Sequence, residues 1–361
     1  MTSLEKAEAF LPLDREDLIE LLALPPGAPS DRLFAAARKR RNELLGTKVY
    51  LRGLVELSNV CVKNCYYCGI RRDNSRVLRY TMSDDEVVSG AILTWKMGLG
   101  SLVLQSGERS DPAFVDRIER LLRRIGEETN DELGITLSLG EQSEETCRRW
   151  RAAGAKRYLL RIEEADPVLY AQLHPADHSW NKRRECLRLL QKCGFQTGTG
   201  VMCGLPGQTI AHLADDLLFM KEFDTDMIGM GPYLPHPDTP LAARFPDFEE
   251  KRDSLLLLGL KMIACARLIM PDVNIASTTA LQTLRPDGRL RGLLAGANVI
   301  MPNVGSEDRK KEYNLYTGKP GADISPEVIL SQLSREAASI GCTIALREHG
   351  DPRHFFARTT R

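Results

Sequence analysis

Short apolar runs alternate along the chain with stretches in which apolar residues recur every three or four positions. The short runs predict β-strands, and the periodic stretches predict amphipathic helices. Eight strands separated by helices are typical of a parallel (β/α)8 barrel, so we predict an α/β fold with one complete barrel. The predicted strands are Tyr50–Ser58, Ser101–Ser106, Gly134–Leu139, Arg157–Ile162, Thr197–Cys203, Met227–Gly231, Asn274–Thr279 and Asn298–Pro302, and the helices between them lie near 84–97, 112–126, 143–152, 180–193, 209–222, 250–269 and 286–294.

The chain extends beyond these strands at both ends. Residues 1–48 predict a helical lead-in, in which Ser30 and Asp31 cap a helix that continues to Leu45. Residues 49–303 hold the barrel, and residues 304–361 form a C-terminal extension that we expect to pack on it. A length of 361 residues suits a barrel of about 250 residues with such additions.

The composition limits the classes of partner. Lys+Arg and Asp+Glu are both 49, so no overall charge favours nucleic acid or an anionic membrane. The nine cysteines form no regular framework, so disulfides are not predicted. No apolar run approaches the roughly 20 residues that span a bilayer, and the first 20 residues lack a signal-peptide core. We therefore expect a cytoplasmic protein with reduced thiols.

Three cysteines follow the first predicted strand closely. Cys61, Cys65 and Cys68 lie within eight residues. Thiolates are the usual ligands of iron–sulfur clusters, which normally take four, so three would leave one iron free to bind a small molecule. The alternatives are a structural zinc site, which usually needs a fourth Cys or His, or three unrelated buried cysteines. The six other cysteines are scattered singly and are expected to be small buried hydrophobes.

Polar residues follow several other predicted strands, where barrel enzymes carry their chemistry. Gly107 lets a ligand approach the backbone, and Glu108 beside it can pair with an ammonium group. On the fourth strand Arg157, Arg161 and Glu163 alternate onto one face, and a buried Arg needs an anion; a purely structural Arg–Glu pair is the alternative. Further candidates are Thr136 and Ser138 on the third strand, Met202 in the glycine-rich end of the fifth, and Thr278 and Thr279 on the seventh.

The spacing Cys-x3-Cys-x2-Cys, followed by Gly69, resembles the signature of the radical S-adenosylmethionine (SAM) enzymes. In that superfamily three cysteines hold a 4Fe–4S cluster, and the amino and carboxylate groups of SAM chelate the fourth iron. The resemblance implies that one electron from the reduced cluster cleaves SAM to methionine and a 5′-deoxyadenosyl radical.

A wider resemblance rests on seven stretches, which are 58–74, 104–108, 136–141, 157–161, 204–209, 231–241 and 296–303. Together they resemble the HydE family, the radical SAM maturases of FeFe-hydrogenase, over about residues 45–320. The resemblance implies a barrel that holds the cluster and SAM at its top. It also implies an organometallic substrate, an iron–cyanide–carbonyl–cysteine complex made by the maturase HydG. HydF and a low-potential electron donor would be further partners.

The resemblance also implies roles for individual residues. Contacts to SAM are implied for Tyr67, Glu163 and Arg183, and contacts to the substrate for Thr136, Arg161, Thr278, Thr279 and Tyr313. From their places at the strand ends, we expect further contacts to SAM from Gly107, Glu108, Ser138 and Met202, and a further contact to the substrate from Arg157. Two departures from the family pattern are the lack of cysteines for a second cluster and Ile162, where many members have His. The alternatives are therefore a HydE-like enzyme that acts on an amino acid, as methylornithine synthase does, and a non-catalytic scaffold for an iron complex. Biotin synthase is disfavoured, because Ser106 and Ser138 stand where cysteines would be expected.

Overall fold

Parallel strands form the centre of the fold in a computed structural model that describes residues 1–320 and 325–360. In order along the chain they are β1 (Lys48–Ser58), β2 (Ser101–Ser106), β3 (Gly134–Ser138), β4 (Ala155–Leu159), β5 (Gln196–Thr199), β6 (Met202–Cys203), β7 (Met227–Ile228), β8 (Gly231–Pro232), β9 (Asn274–Ile275), β10 (Val299–Ile300) and β11 (Thr343–Ala345). The barrel strands run in the order β10-β1-β2-β3-β4-β5-β7-β9, and all neighbours pair in parallel.

Backbone hydrogen bonds join the two ends of this sheet. The N–H of Ser277 donates to the carbonyl of Val299 at 2.8 Å, and the N–H of Asn298 donates to the carbonyl of Ile275 at 2.9 Å. These bonds close the sheet between β9 and β10. The predicted α/β fold with an eight-stranded parallel barrel is therefore confirmed.

Several strands are shorter than predicted. The fifth predicted strand is divided into β5 and β6, and the sixth into β7 and β8, and at this break the backbones of Gly200 and Gly229 lie close together. A Cβ atom added at Gly200 would lie 2.6 Å from the carbonyl carbon of Gly229. The fourth strand ends at Leu159, so Arg161 and Glu163 lie in the loop that follows it.

Helices surround the barrel and cover its ends. They are α1 (Ser3–Glu8), α2 (Arg15–Ala23), α3 (Ala28–Leu45), α4 (Asp84–Lys96), α5 (Pro112–Glu128), α6 (Glu144–Ala152), α7 (Pro167–Leu173), α8 (Trp180–Lys192), α9 (Ile210–Glu222), α10 (Phe248–Ile269), α11 (Thr279–Leu284), α12 (Gly288–Leu294), α13 (Glu307–Glu312), α14 (Pro326–Ser339) and α15 (Arg353–Thr359), with a 3-10 turn at Ala242–Arg244. Across the described residues, no helix is both long and apolar enough to cross a membrane.

Local chemistry sets where these helices begin. The hydroxyl of Ser83 accepts a hydrogen bond from Glu86 N–H, and the Glu86 carboxylate accepts from Ser83 N–H, which makes a capping box at the start of α4. The prediction that Ser30 and Asp31 cap the third helix was wrong. That helix begins at Ala28 with Pro29 in its first turn, and the Ser30 hydroxyl instead donates to the Pro25 carbonyl at 2.7 Å.

The C-terminal segment contacts both ends of the barrel. At the carboxyl ends of the strands, the carbonyl of Leu315 accepts a hydrogen bond from Gly69 N–H at 2.9 Å. At the amino ends, the carbonyl of Gly350 accepts from Asn274 Nδ2 at 2.7 Å, and β11 pairs with β1. The boundaries at residues 48 and 303 stay predictions.

Candidate active site

A cavity of about 340 Å³ lies at the carboxyl ends of the barrel strands. The three clustered cysteines line it, and so do most of the residues for which contacts to SAM or substrate were predicted. These lining residues are Cys61, Cys65, Tyr67, Cys68, Gly107, Glu108, Ser138, Arg161, Glu163, Arg183, Met202, Thr278, Thr279 and Tyr313. The fold thus brings into one space residues that are up to 252 positions apart in the sequence.

Hydrogen bonds from one side chain fix the loop that carries the cysteines. The guanidinium of Arg79 donates to the carbonyls of Asn59 at 2.7 Å, Ile70 at 2.8 Å and Arg71 at 2.6 Å. It therefore ties the chain before the first cysteine to the chain after the third. Gly107 packs directly against this loop, since a Cβ atom at that position would lie 2.7 Å from the Cβ of Cys61.

The thiols of this loop are buried, which opposes their ionisation while no metal is bound. Burial raises the pKa of Cys65 to about 12 and raises the pKa values of Cys61 and Cys68 as well. The protein alone therefore favours the neutral thiols, and bound iron would stabilise the thiolates. Within the described ranges, no three His, Cys, Asp or Glu side chains converge on one point that could hold a single ion. Three thiols around a shared space fit a multi-iron cluster, whose ligands bind different irons.

Charged side chains alternate in sign next to the cysteines. Lys63 Nζ lies 3.3 Å from Glu108 Oε1 and 3.0 Å from Glu141 Oε2. Arg183 Nε donates to Glu141 Oε1 at 2.5 Å. Burial raises the pKa of Glu108. Burial also opposes ionisation of Glu141, but Arg183 and Lys63 outweigh it and lower the pKa of that carboxyl group. The side of the cavity next to the cysteines therefore presents both cationic and anionic groups to a zwitterionic ligand.

Arg161 and Glu163 project from the loop after β4. Glu163 has a φ of +71°, which is unusual for a residue with a side chain and costs on the order of 1–3 kcal/mol. Backbone bonds hold it there: Glu163 N–H donates to the Gly200 carbonyl at 3.0 Å, and Met202 N–H donates to the Glu163 carbonyl at 3.1 Å. Arg161 Nη2 lies 3.1 Å from Glu163 Oε2. Even so, Arg161 Nε and Glu163 Oε2 are buried with no hydrogen-bond partner in the part of the chain that the structure describes.

Such unpartnered polar atoms recur on the opposite wall. The hydroxyls of Thr278 and Tyr233 are buried and accept or donate no hydrogen bond within the described residues. Buried polar groups are normally paired, so these atoms indicate a wall that is built to meet a polar ligand. Together with the cysteines and the charged residues, they fit a cluster and a bound zwitterion.

Comparisons with known proteins agree with this geometry. Residues 55–220 match the model of the Radical SAM superfamily. The [FeFe] hydrogenase maturase subunit HydE of Thermotoga maritima is 46% identical over 309 residues, which cover 84% of each chain. The chain belongs to the radical SAM superfamily and, within it, to the HydE family. It is thus a SAM-dependent enzyme with a 4Fe–4S cluster.

More distant relatives share the same architecture. The 3-methylornithine synthase of Methanosarcina acetivorans is 29% identical over 307 residues, which cover 84% of this chain and 83% of that protein. The X-ray structure of the FeFe-hydrogenase maturase HydG from Carboxydothermus hydrogenoformans superposes with a TM-score of 0.78 at 19% identity, covering 96% of this chain and 80% of that one. This structural likeness shows the fold alone.

The structure places two of the predicted substrate residues elsewhere. The prediction for Arg157 is corrected: it is fully buried at the amino ends of the strands, where it pairs with Asp351 and donates to Gln196 Oε1 at 2.9 Å. Asp351 of the C-terminal segment supplies the opposite charge, so Arg157 needs no ligand to neutralise it. Thr136 does not line the cavity, although its buried hydroxyl has no hydrogen-bond partner among the described residues.

Sequence reasoning missed three charged residues of the cavity, which are Glu56, Lys63 and Lys319. Glu56 is 4% exposed, accepts a hydrogen bond from Asn303 Nδ2 at 2.6 Å and pairs with Lys319. The sequence did contain an indication of Glu56, because this residue is the only acid in the apolar run of the first strand and its side chain faces the barrel interior. Lys319 carried no such signal, since it lies in a polar segment after the barrel. Lys319 Nζ also lies 5.5 Å from the ring centre of Tyr313.

Proposed function

We propose that this enzyme acts in the maturation of FeFe-hydrogenase, where it modifies an iron–carbonyl–cyanide–cysteine complex supplied by HydG. The observation that carries the proposal is the single cavity, which joins the three-cysteine loop to unpartnered polar groups inside the barrel. The similarity to the Thermotoga maritima maturase supports the choice of pathway. HydG, HydF and a low-potential electron donor are the proposed partners. A cytoplasmic location fits the nine free cysteines.

The cysteine end of the cavity would hold the cofactors. Cys61, Cys65 and Cys68 would bind three irons, and SAM would complete the fourth. When bound, the cluster and SAM supply the one-electron chemistry that releases a 5′-deoxyadenosyl radical. Arg183 would face the carboxylate of SAM and Glu163 its ammonium group, because these side chains supply the opposite charges. The remaining contacts to SAM would come from Tyr67, Gly107, Glu108, Ser138 and Met202.

The interior end of the cavity would hold the substrate. Arg161 suits the carboxylate of a cysteine-like group, because its guanidinium can make two parallel hydrogen bonds. The hydroxyls of Thr278, Thr279 and Tyr313 would hold the same group, and we keep Thr136 as a further candidate. The closed barrel would keep water and unwanted hydrogen donors away from the reaction.

The test is an anaerobic assay of SAM cleavage. The protein is reconstituted with iron and sulfide and reduced, SAM is added with and without the HydG product, and 5′-deoxyadenosine is measured. Strong stimulation by the HydG product, or an adenosylated iron species, supports the maturase. Deoxyadenosine that forms equally without that product indicates another substrate, such as an amino acid. An intact cluster that cleaves no SAM indicates a scaffold.

Two variants separate the two ends of the cavity. Cys65→Ala should abolish both the cluster absorbance and SAM cleavage, whereas Cys265→Ala, which removes a buried thiol far from the cavity in α10, should retain both. Arg161→Ala should retain the cluster and lose substrate turnover. Cluster-dependent SAM cleavage in Cys65→Ala would contradict the ligand assignment, and loss of the cluster in Arg161→Ala would contradict the division of roles.

A further inference from the structure

Two buried carboxylates and one amide lie directly behind the cavity wall. Glu164 follows Glu163 in the chain, Asp216 lies on α9, and both are completely buried. The side-chain amide of Gln208 sits between them. Its Nε2 donates to Glu164 Oε2 at 2.9 Å and lies 3.4 Å from Asp216 Oδ2. None of these three side chains lines the cavity or has a role in the proposed chemistry.

Gln208 connects these acids to the loop after β6. Its Nε2 also donates to the carbonyl of Met202 at 3.0 Å, while its Oε1 accepts from the N–H groups of Gly204 at 2.7 Å and Leu205 at 3.2 Å. On the other side, Asp216 Oδ1 accepts from the N–H of Ala165 at 2.7 Å. One amide and one acid pair therefore tie the loop after β4 to the loop after β6.

The two acids share one buried site. They accept hydrogen bonds from backbone N–H groups and from Gln208, and the two carboxyl groups also interact with each other. Burial raises the pKa of both carboxyl groups, most strongly that of Asp216, where the nearby charge of Glu164 adds repulsion. The titratable groups that face the pair are Asp166 and His212 on the side of Glu164, and Asp215 on the side of Asp216. Burial and the mutual repulsion of the two carboxylates therefore both favour the protonated form of the pair.

We propose that Gln208, together with Glu164 and Asp216, is the positioning unit for the SAM-binding wall of the cavity. The unit holds the loop of Glu163, with its left-handed backbone, against the loop of Met202. Both of those residues are proposed SAM contacts, so this inference rests on the proposed function. Gln208 acts through them and does not touch SAM itself. Disturbing the unit should weaken SAM binding while the cluster loop, which is held separately by Arg79, remains intact.

The test measures SAM binding to the cluster-loaded protein by calorimetry, together with iron content, unfolding temperature and turnover at saturating SAM. Gln208→Glu keeps the size of the side chain but removes its N–H donors and adds a third carboxyl group. We expect the Kd for SAM to rise about tenfold, the effect of losing a hydrogen bond to a charged group, with iron content and saturated turnover unchanged. Gln332→Glu, on α14 away from the barrel mouth, is the matched control and should leave the Kd unchanged.

A swapped pair provides the rescue. In Gln208→Glu with Glu164→Gln the amide moves to the other side of the contact, so that the donor is restored and the number of carboxyl groups returns to two. We expect most of the SAM affinity to return. An unchanged Kd in Gln208→Glu would overturn the inference. If that variant also unfolds more easily, a swapped pair that regains stability without regaining SAM affinity would overturn it too.

The same experiment separates this inference from the proposed function. If wild-type protein with an intact cluster binds no SAM, the proposed function fails, and the inference fails with it. If wild-type protein binds SAM and the variants bind it equally well, only the positioning role is lost.

Discussion

The guanidinium of Arg157 should stabilise the fold without contributing to catalysis. It forms an ion pair with Asp351 and donates hydrogen bonds to Gln196 Oε1 at 2.9 Å, Ser101 Oγ at 3.1 Å and the carbonyl of His349 at 2.8 Å. Two of these partners belong to the C-terminal segment. Arg157→Ala would therefore release the contact between this segment and the amino ends of the strands.

The expected loss of unfolding free energy in Arg157→Ala follows from the burial of the ion pair between Arg157 and Asp351. Removing one partner of a buried ion pair costs about 3–5 kcal/mol. The side chain of Asp351 is 22% exposed, so water relieves part of this cost, and we expect about 2–4 kcal/mol. With about 2.1 cal/mol/K of unfolding entropy per residue, a chain of 361 residues has about 0.8 kcal/mol/K, which converts this loss into a fall of about 3–5 °C in Tm.

The assay compares thermal unfolding with SAM cleavage at a temperature where all variants are folded. Arg157→Ala should lower Tm and leave deoxyadenosine formation and substrate turnover near the wild-type level. Asp351→Asn is the companion variant: it keeps an acceptor for the guanidinium but leaves the charge of the fully buried Arg157 uncompensated, so it should lower Tm at least as much and likewise leave turnover near the wild-type level. A normal Tm combined with lost substrate turnover in Arg157→Ala would refute the structural role and restore the substrate role predicted from the sequence.

Three further predictions follow from other contacts. Lys319→Met leaves the buried Glu56 without its cation and should lower the free energy of unfolding, while the double variant with Glu56→Gln should recover most of it; a double variant less stable than Lys319→Met would contradict this. His354 has its pKa raised above 6.5 by its hydrogen bond to Asp272. Its stabilisation is therefore complete below pH 6.5 and is lost as pH rises through the raised pKa, so His354→Phe should flatten the pH dependence of denaturant midpoints across that range; an unchanged slope refutes the linkage. Gly107→Ala should reduce the iron content of the reconstituted protein and leave it folded, because the added methyl group displaces the cysteine loop; full iron content would contradict the contact.

The sequence predicted the barrel well because its signals are local. Alternating strands and helices, and three cysteines within eight residues, need no knowledge of distant contacts. Arg157 and Arg161 show what local sequence patterns do not predict, which is the end of the barrel at which a polar side chain lies. Arg157 lies within β4, whereas Arg161 lies in the loop that follows this strand, where a period of two no longer applies. One therefore lies at the closed end and the other at the cavity, and periodicity cannot tell these two ends apart.

Long-range partners account for the remaining differences. Lys319 meets Glu56 across 263 positions, and Asp351 meets Arg157 across 194 positions. Both partners come from the C-terminal segment, whose polar composition gave no indication of the residues it would reach. A buried acid or base inside a predicted strand does signal that a partner of opposite charge must exist. The sequence does not say whether a ligand or a distant part of the chain supplies it.

Several buried polar atoms of the cavity have no hydrogen-bond partner in the described residues. They include Arg161 Nε, Thr278 Oγ1 and the Tyr233 hydroxyl. Each such group costs about 1–3 kcal/mol, so these three atoms lower the stability of the unliganded fold at one site. At the amino ends of the strands, Arg157 forms an ion pair with Asp351 and donates hydrogen bonds to three further protein groups. A polar ligand bound in the cavity would satisfy those three atoms, and this supports a ligand site at the carboxyl ends of the strands.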